Sequence, residues 1–369
     1  NRIGFALVEY SDGAQLPFTF VVLNDANINA FAGPTGVIGV NTGLLLAART
    51  ESEFAAVIAH EISHVTQRHL ARAFELEDQL SIPTMAGLLA AIVLASQSSE
   101  AGSAALSAVV GGRAQTQIDL IRSNEFEADR IGIELLARAG YDPRAMASFF
   151  ERLQSSQRYF KLPPEYLSTH PVTTTRIAES RSRAERHGYK QFADSVGFAF
   201  TQAKLTVLTE GPAKALARFD RAIAQGAGSH PDAIRYGRAL ALAGLERHQQ
   251  AAGILKRLVG SDVATLGIRD AYARSLHKTG KTEVALKLYR EGLDVYLYDR
   301  ILTQGYARLL IDIRRPGDAA RVLDVYLRRQ RADGPAHLLL AEAHERAGNT
   351  AASRAALAEH HYYNGRLSL

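Results

Sequence analysis

The stretch A-H-E-I-S-H at residues 59–64 decides how the rest of the chain is interpreted. Its two histidines are four residues apart, so on a helix they project from one face, one turn apart. Neutral imidazoles at this spacing can share one Zn²⁺, and the glutamate between them lies where it can take a proton from water. His60, Glu61 and His64 are therefore candidate metal ligands and a candidate catalytic base. The alternative is a pair of histidines that only packs in a core.

The surrounding sequence places this stretch inside a helix. Thr50 and Glu53 form a capping box, with Thr50 as the N-cap and Glu53 reaching back towards it. Apolar residues then recur at helical spacing, at Phe54, Val57, Ile58, Ile62 and Val65. We expect a helix that begins at Glu51 and continues through Arg72.

A zinc peptidase needs a third protein ligand and an open coordination position for water. Glu125 and Asp129 are four residues apart on a helix predicted over residues 115–139, hence on one face. Glu125 can bind the metal while Asp129 accepts the far N–H of a ligand histidine, which fixes the tautomer of that histidine. Glu127 points elsewhere and is expected to be solvated. The alternative is an exposed acidic face that binds no metal.

Short runs rich in β-branched and aromatic residues, at 18–23 and 37–40, predict two strands. Residues 30–36 between them are loop-like. The second strand is either a plain core strand or an edge strand that faces the metal and pairs with an extended peptide substrate. In the edge interpretation its substrate-binding residues are Val37, Ile38, Gly39 and Val40.

Composition excludes several function classes. The chain has 369 residues, no cysteine and a net charge of +5. The lack of cysteine excludes thiolate metal sites, disulfides and cysteine catalysis, and it suits an oxidising compartment. Without a dense Lys/Arg tract nucleic-acid binding is not expected, whereas peripheral contact with an anionic membrane stays open. The sequence begins at Asn1 without a signal peptide, so we expect that a leader has been removed or that this is a fragment.

Residues 81–112 form an apolar insertion rich in Ala, Gly and Ser. Its longest apolar run, residues 85–95, is shorter than the roughly 18 residues typical of a membrane span. We predict a helical hairpin that acts as a lid or contacts a membrane. A membrane-embedded protease that uses residues 85–110 as spans is a further interpretation.

Beyond Gly188 the chain repeats with a period of 34 residues. Small residues keep this period in two series, Ala239, Ala273, Ala307, Ala341 and Ala251, Ala285, Ala319, and large residues keep it at Leu255, Tyr289, Leu323 and Leu357. The period is typical of tetratricopeptide helix-turn-helix repeats. We predict four clear repeats after a weaker pair near residues 198–225. The fold is therefore expected to be mainly α, with an α+β zincin-type domain and small sheet at 1–190 and an α-solenoid at 198–369.

Three stretches together resemble a known family: G-V-I-G-V-N-T-G-L at 36–44, A-H-E-I-S-H-V-T-Q-R-H at 59–69 and N-E-F-E-A-D-R-I-G at 124–132. They are similar to the membrane-associated zinc metalloproteases that include HtpX and the CAAX prenyl protease. The resemblance extends over nearly the whole chain to periplasmic members that act in β-barrel assembly and carry a C-terminal tetratricopeptide array. It implies that Glu125 is the third zinc ligand and that His170, in S-T-H-P, occupies the open zinc position and holds the enzyme latent. Plain packing in a loop predicted to be extended before Pro171 is the alternative for His170.

The resemblance also implies a function. It is that of a gluzincin-type endopeptidase with one Zn²⁺ per chain, in the periplasm of a Gram-negative bacterium. Its substrates are expected to be misfolded or stalled outer-membrane β-barrel proteins, and its repeats to bind the barrel assembly machinery with chaperone-like activity. Arg176 is a candidate donor to the developing oxyanion. The alternative function is a non-proteolytic repeat scaffold or chaperone with a structural zinc site closed by His170, although such a site has no use for Glu61.

Overall fold

The computed structural model describes residues 1–33, 35–73, 75, 99–156, 165–188, 190, 192–226, 228–260 and 265–364. The chain divides into two units, Asn1–Ser195 and Val196–Leu369. The first unit combines helices with one small sheet, and the second is helical throughout its described part. This architecture confirms the predicted fold class.

The first unit begins with a helix and the three strands, and its remaining elements are helical. In chain order the elements are α1 (Arg2–Glu9), β1 (Thr19–Leu23), β2 (Ala30–Ala32), β3 (Val37–Asn41), α2 (Thr42–Ala47), α3 (Glu51–Thr66), α4 (Ser99–Arg138), α5 (Ala145–Ser156), α6 (Glu165–Thr169) and α7 (Thr174–Glu185). A further helical stretch covers residues 69–73.

The sheet has the order β1-β3-β2. β3 pairs in parallel with β1, where Thr19 lies opposite Val37, and antiparallel with β2, where Phe31 lies opposite Gly39. The interpretation of residues 37–40 as an edge strand is therefore wrong, because both edges of β3 are already paired. The two edge strands are β1 and β2, and β2 lies in a stretch that the sequence analysis assigned to a loop. β2 is only three residues long and lies between an asparagine-rich turn and Gly33, so its sequence alone does not show a strand pattern.

α3 starts as the sequence predicts. The backbone N–H of Glu53 donates to Thr50 Oγ1 over 3.1 Å, and the Glu53 carboxylate reaches back one residue further, to the N–H of Arg49 at 2.6 Å. Fourteen of its sixteen residues are buried, so α3 is a central helix rather than a surface helix. It ends at Thr66, because Arg68 adopts a left-handed conformation with φ of 53°. The predicted uninterrupted continuation to Arg72 is wrong at this point.

Two further boundaries differ from the sequence prediction. α4 begins at Ser99 rather than near residue 115, so residues 99–112 belong to one long helix, while residues 81–98 of the predicted hairpin lie outside the described residues. The segment before Pro171 is not extended, because the short helix α6 precedes His170, whose N–H donates to Tyr166 O over 2.8 Å. Within the described ranges, none of the helices combines the length and apolar character required to cross a bilayer.

The second unit consists of five helical pairs among its described residues. They are α8 (Val196–Glu210) with α9 (Pro212–Ala224), α10 (Pro231–Gly244) with α11 (His248–Val259), α12 (Leu266–Lys278) with α13 (Thr282–Val295), α14 (Arg300–Asp312) with α15 (Pro316–Leu327), and α16 (Gly334–Arg346) with α17 (Thr350–Tyr363).

The 34-residue period has a packing cause. The small residues of both series are buried, and the large residues Leu255, Tyr289 and Leu323 are fully buried between neighbouring helices. Leu357 in the last pair is 39% exposed. The period also appears in the backbone, since residues 246, 280, 314 and 348 all have positive φ at the turn inside a pair. Two of these four residues are glycines, which accept this conformation without a Cβ clash.

Candidate metal centre

Both histidines of α3 point to one place. His60 is completely buried and the side chain of His64 is 15% exposed, and their Nε2 atoms lie 2.9 Å apart with the rings edge to face. This is the arrangement that the i, i+4 spacing predicts for one helix face. Because α3 is buried along most of its length, these rings are held by packing rather than by solvent-facing rotamers.

α4 brings a carboxylate to the same place. Glu125 Oε1 lies 3.3 Å from His64 Nε2, and Glu125 Oε2 lies 3.4 Å from His60 Nε2. The close approach of the two helices depends on Gly132, where an added Cβ would lie 3.3 Å from the backbone nitrogen of His60. A larger residue there would push α4, and with it Glu125, away from α3.

His170 completes the cluster from the end of α6. Its Nδ1 lies 3.0 Å from Glu125 Oε1 and 3.2 Å from His60 Nε2. The buried ring of Tyr166 stacks on the His170 ring at a centroid distance of 4.7 Å. One donor atom from each of His60, His64, Glu125 and His170 lies within 4.8 Å of the others. The structure thus brings together four side chains from a stretch of sequence in which the first and the last, His60 and His170, are 110 residues apart.

Asp129 and Arg176 support this cluster from behind. Asp129 Oδ1 lies 3.0 Å from His60 Nδ1, on the far side of the ring. Arg176, which is 2% exposed, donates from Nε and Nη2 to both oxygens of Asp129 over 2.7 and 2.8 Å. Its Nη1 donates to Pro171 O over 2.8 Å and lies 2.7 Å from Glu125 Oε2. With these contacts in place the guanidinium faces carboxylates, so the oxyanion role predicted for Arg176 is replaced by a positioning role.

His69 and Glu127 are site residues that the sequence analysis missed. His69 is buried, with Nδ1 2.8 Å from His64 Nδ1 and Nε2 3.1 Å from Glu127 Oε2. Arg72 donates to the same Glu127 oxygen over 2.7 Å. The expectation that Glu127 is only solvated is therefore wrong. The contact between His69 and His64 was hard to predict from the sequence, because residues five apart on a continuous helix face different directions.

Burial and the neighbouring charges act in opposite directions on the pKa values of the cluster. Burial lowers the pKa of His60, but the carboxylates of Glu125 and Asp129 outweigh burial and raise that pKa to about 10. Burial lowers the pKa of His64. Burial raises the pKa of Glu125, yet the charge of His60 and hydrogen bonds from the histidines hold it well below its usual value. Arg176 likewise keeps the pKa of Asp129 low despite its burial.

These residues fit a divalent metal ion. When His60 and His64 are neutral and each uses its Nδ1–H for an outer contact, the lone pairs of their Nε2 atoms face each other. These two nitrogen atoms are 2.9 Å apart, so their lone pairs repel unless a cation lies between them. The same field that favours a proton on His60 favours such a cation. Three imidazoles and one carboxylate are a donor set that suits Zn²⁺.

A cleft of about 560 Å³ opens beside the cluster. Glu61, which is 1% exposed, lines it together with His64 and His170, and Glu61 Oε1 lies 3.5 Å from His170 Nε2. The described sheet residues that line this cleft are 31–33, at and after β2, whereas residues 37–40 do not. The strand that faces the candidate centre is therefore β2.

Comparison with known proteins agrees with this geometry. The family model described as "Peptidase family M48" matches residues 2–184. A putative β-barrel assembly-enhancing protease of Vibrio cholerae is 37% identical over 97% of this chain and 75% of its own length. The β-barrel assembly-enhancing protease of Escherichia coli K12 is 33% identical over 100% of this chain and 75% of its own length. The chain belongs to peptidase family M48. The mitochondrial metalloendopeptidase OMA1 of Arabidopsis thaliana is 34% identical over 41% of this chain and 28% of its own length.

Membership of this family confirms that the protein is a metalloendopeptidase. The family match covers residues 2–184, which contain every residue of the cluster described above. The relatives from Vibrio cholerae and Escherichia coli extend the similarity through the repeat unit as well.

Proposed function

We propose that the protein is a periplasmic zinc endopeptidase that degrades misfolded or stalled outer-membrane β-barrel proteins. The observation that carries the proposal is the convergence of His60, His64 and Glu125 beside the buried carboxylate of Glu61. The relatives are named as proteases that enhance β-barrel assembly, which supports a link to β-barrel proteins, and a tetratricopeptide array supports capture of a protein partner. Metal analysis of the purified chain, with cleavage assays on casein and on a denatured outer-membrane barrel, tests it; a metal-free protein that cleaves neither substrate would contradict it.

The chemistry follows from the positions of the side chains. When bound, Zn²⁺ supplies Lewis-acid polarisation of water and of the scissile carbonyl. His60, His64 and Glu125 would hold it, and Asp129 fixes the His60 ring so that Nε2 faces the cluster. Glu61 removes a proton from the attacking water and then delivers a proton to the leaving amine. Arg176 keeps Asp129 and Glu125 charged and in place.

The substrate is expected to lie along the free edge of β2. Asn41 N–H donates to Asn29 O and Gly33 N–H donates to Val37 O, so in this antiparallel ladder Phe31 also bonds towards β3, while Ala30 and Ala32 direct their N–H and C=O groups away from it. Of these two residues, Ala32 borders the cleft that holds Glu61, whereas Ala30 is completely buried. An extended peptide can pair with the outward N–H and C=O of Ala32, as an added strand does.

Ala32→Pro tests this placement. The substitution removes an outward N–H without touching a bond to β3, and we expect kcat/KM for a peptide substrate to fall by about 5-fold, as for the loss of a hydrogen bond worth roughly 1 kcal/mol. The measurement is steady-state peptide cleavage, with Ala32→Val as the control that keeps the N–H. Equal kcat/KM for the proline and valine variants would argue that the substrate does not use this edge.

His170 acts in this proposal as a latch. Its ring lies against Glu125 and His60, where it would take the coordination position that a peptidase leaves open. It also follows a five-residue helix rather than lying within a long one. His170→Ala is expected to increase basal casein cleavage, by about 10-fold if the wild-type enzyme is about 90% closed. Thr169→Ala serves as the adjacent control. Unchanged or reduced cleavage by His170→Ala would contradict the latch.

A second candidate function is favoured by the same residue. With His170 as a permanent fourth ligand the site would be closed, as structural zinc sites are, and the protein would be a non-proteolytic scaffold or chaperone. The burial of Glu61 beside the cluster counts against this function, because a structural site has no need for a carboxylate there. The His170→Ala variant separates the two functions: a gain of cleavage supports the peptidase, whereas loss of zinc without any gain supports the scaffold.

A further inference from the structure

We propose that His69 and Glu127 are positioning residues that fix the metal ligand His64 through a relay of hydrogen bonds. The relay runs from His64 to His69, then to Glu127, and ends at Arg72. This inference rests on the proposed metal-binding function of His64. It assigns a purpose to a buried histidine, a half-buried carboxylate and a strained backbone residue that the catalytic scheme leaves without one.

The relay exists because α3 is interrupted. Each residue advances about 100° around an α-helix, so two residues five apart lie about 140° from each other and cannot touch. α3 ends at Thr66, and Arg68 has a φ of 53°, a conformation that costs a non-glycine residue roughly 1 kcal/mol or more. The turn at residues 67–68 interrupts the helix before residue 69, and His69 Nδ1 lies 2.8 Å from His64 Nδ1.

A single arrangement of protons satisfies every contact of the relay. His64 directs Nε2 towards the cluster, so its Nδ1 carries the proton and donates to His69 Nδ1. His69 must then carry its own proton on Nε2, which donates to Glu127 Oε2 over 3.1 Å. Each step has one donor and one acceptor, and the result is one tautomer and one ring orientation for His64.

Positive charges hold the far end of the relay. Arg72 donates to Glu127 Oε2 over 2.7 Å and to Asn124 Oδ1 over 3.3 Å, and Arg130 Nη2 lies 3.9 Å from Glu127 Oε1. The side chain of His69 is 4% exposed while that of Glu127 is 27% exposed. The arrangement parallels the support of His60, where Asp129 accepts from the ligand ring and Arg176 holds Asp129. The hydrogen bonds behind each of the two histidines of α3 thus lead to a carboxylate that is paired with an arginine.

The experiment measures zinc affinity of the full chain by competition with a chromogenic chelator, and the visible absorption spectrum of the Co²⁺-loaded chain. His69→Leu keeps the volume and removes both nitrogens, and we expect it to weaken zinc binding by about 10- to 100-fold and to alter the Co²⁺ spectrum. His69→Gln restores an acceptor for His64 and a donor to Glu127, and should bind zinc within about 3-fold of wild type, a rescue that a purely structural role for His69 does not require.

The matched control is His187→Ala. His187 contacts Glu134 at 3.2 Å in the same unit and has no recorded contact with the described residues of the cluster. The zinc affinity of the His187→Ala variant should therefore equal that of wild type. Wild-type affinity in folded His69→Leu would overturn the relay. Should that variant not fold, Glu127→Ala at a half-buried position decides: about 10-fold weaker zinc binding supports the relay and unchanged binding overturns it. Failure of the wild-type chain to bind zinc would instead overturn the proposed function.

Discussion

Glu61→Gln is expected to lower kcat/KM for a protein substrate by about 1,000-fold while zinc content stays at the wild-type level. Glutamine has the shape of glutamate but cannot take a proton from water, and Glu61 lies in a buried position where no other described carboxylate except Glu125 lines the cleft. Glu125 is committed to the histidines and to Arg176. The chemistry therefore has no substitute base within this part of the site.

The comparison is best made in the His170→Ala background, because the latch would otherwise hide the effect of losing the base. Cleavage by His170→Ala and by His170→Ala/Glu61→Gln is followed on casein, with metal content measured for both. Glu134→Gln on α4, whose side chain is 59% exposed, is the matched control and should cleave like its parent. Substantial proteolysis by the double variant would remove Glu61 from the mechanism.

Arg176→Ala is expected to destabilise the first unit by about 3 kcal/mol, since two buried carboxylates lose their guanidinium and keep only the His60 ring as a cationic partner. Asp129 and Glu125 are each about 5% exposed and Arg176 is 2% exposed, so solvent cannot replace the guanidinium. For a unit of this size the loss corresponds to a fall in Tm of roughly 10 °C, measured by thermal unfolding of the zinc-free chain. Lysine at this position keeps the charge but not the two parallel hydrogen bonds, and should give an intermediate Tm.

Arg183→Ala provides the matched control on the same helix. Arg183 pairs with Glu179 at the surface, and a partly exposed pair one helical turn apart contributes only about 0.5 kcal/mol. A Tm for Arg176→Ala that equals that of Arg183→Ala would show that Arg176 does not hold the carboxylates in solution. Restoration of the wild-type Tm by added zinc would show that the metal and Arg176 neutralise the same charges.

Local spacing predicted the parts of the site that lie on single helices. His60 and His64 share a face because helical residues four apart always do, and Glu125 and Asp129 share a face for the same reason. The start of α3 was predictable from Thr50 and Glu53, since capping depends on neighbouring residues alone. The 34-residue period was visible because every helical pair repeats the same packing contacts.

The sequence was misleading where a residue's role depends on distant partners. β3 has the composition of a strand, but whether it is central or at an edge is decided by β1 and β2, which pair with it from both sides. Arg176 looked available for an oxyanion until the fold placed Asp129 and Glu125 around it.

By itself the sequence determined a helix with His60 and His64 on one face, a second helix with Glu125 and Asp129 on one face, and a repeat array, because each is a periodic pattern within one or two helices. Only the tertiary structure decided which strand borders the cleft, that His170 lies against the ligands, and that His69 returns to His64 after the break at Arg68. These features join segments far apart in the chain or depend on one non-helical dihedral angle, and helical periodicity carries no information about either.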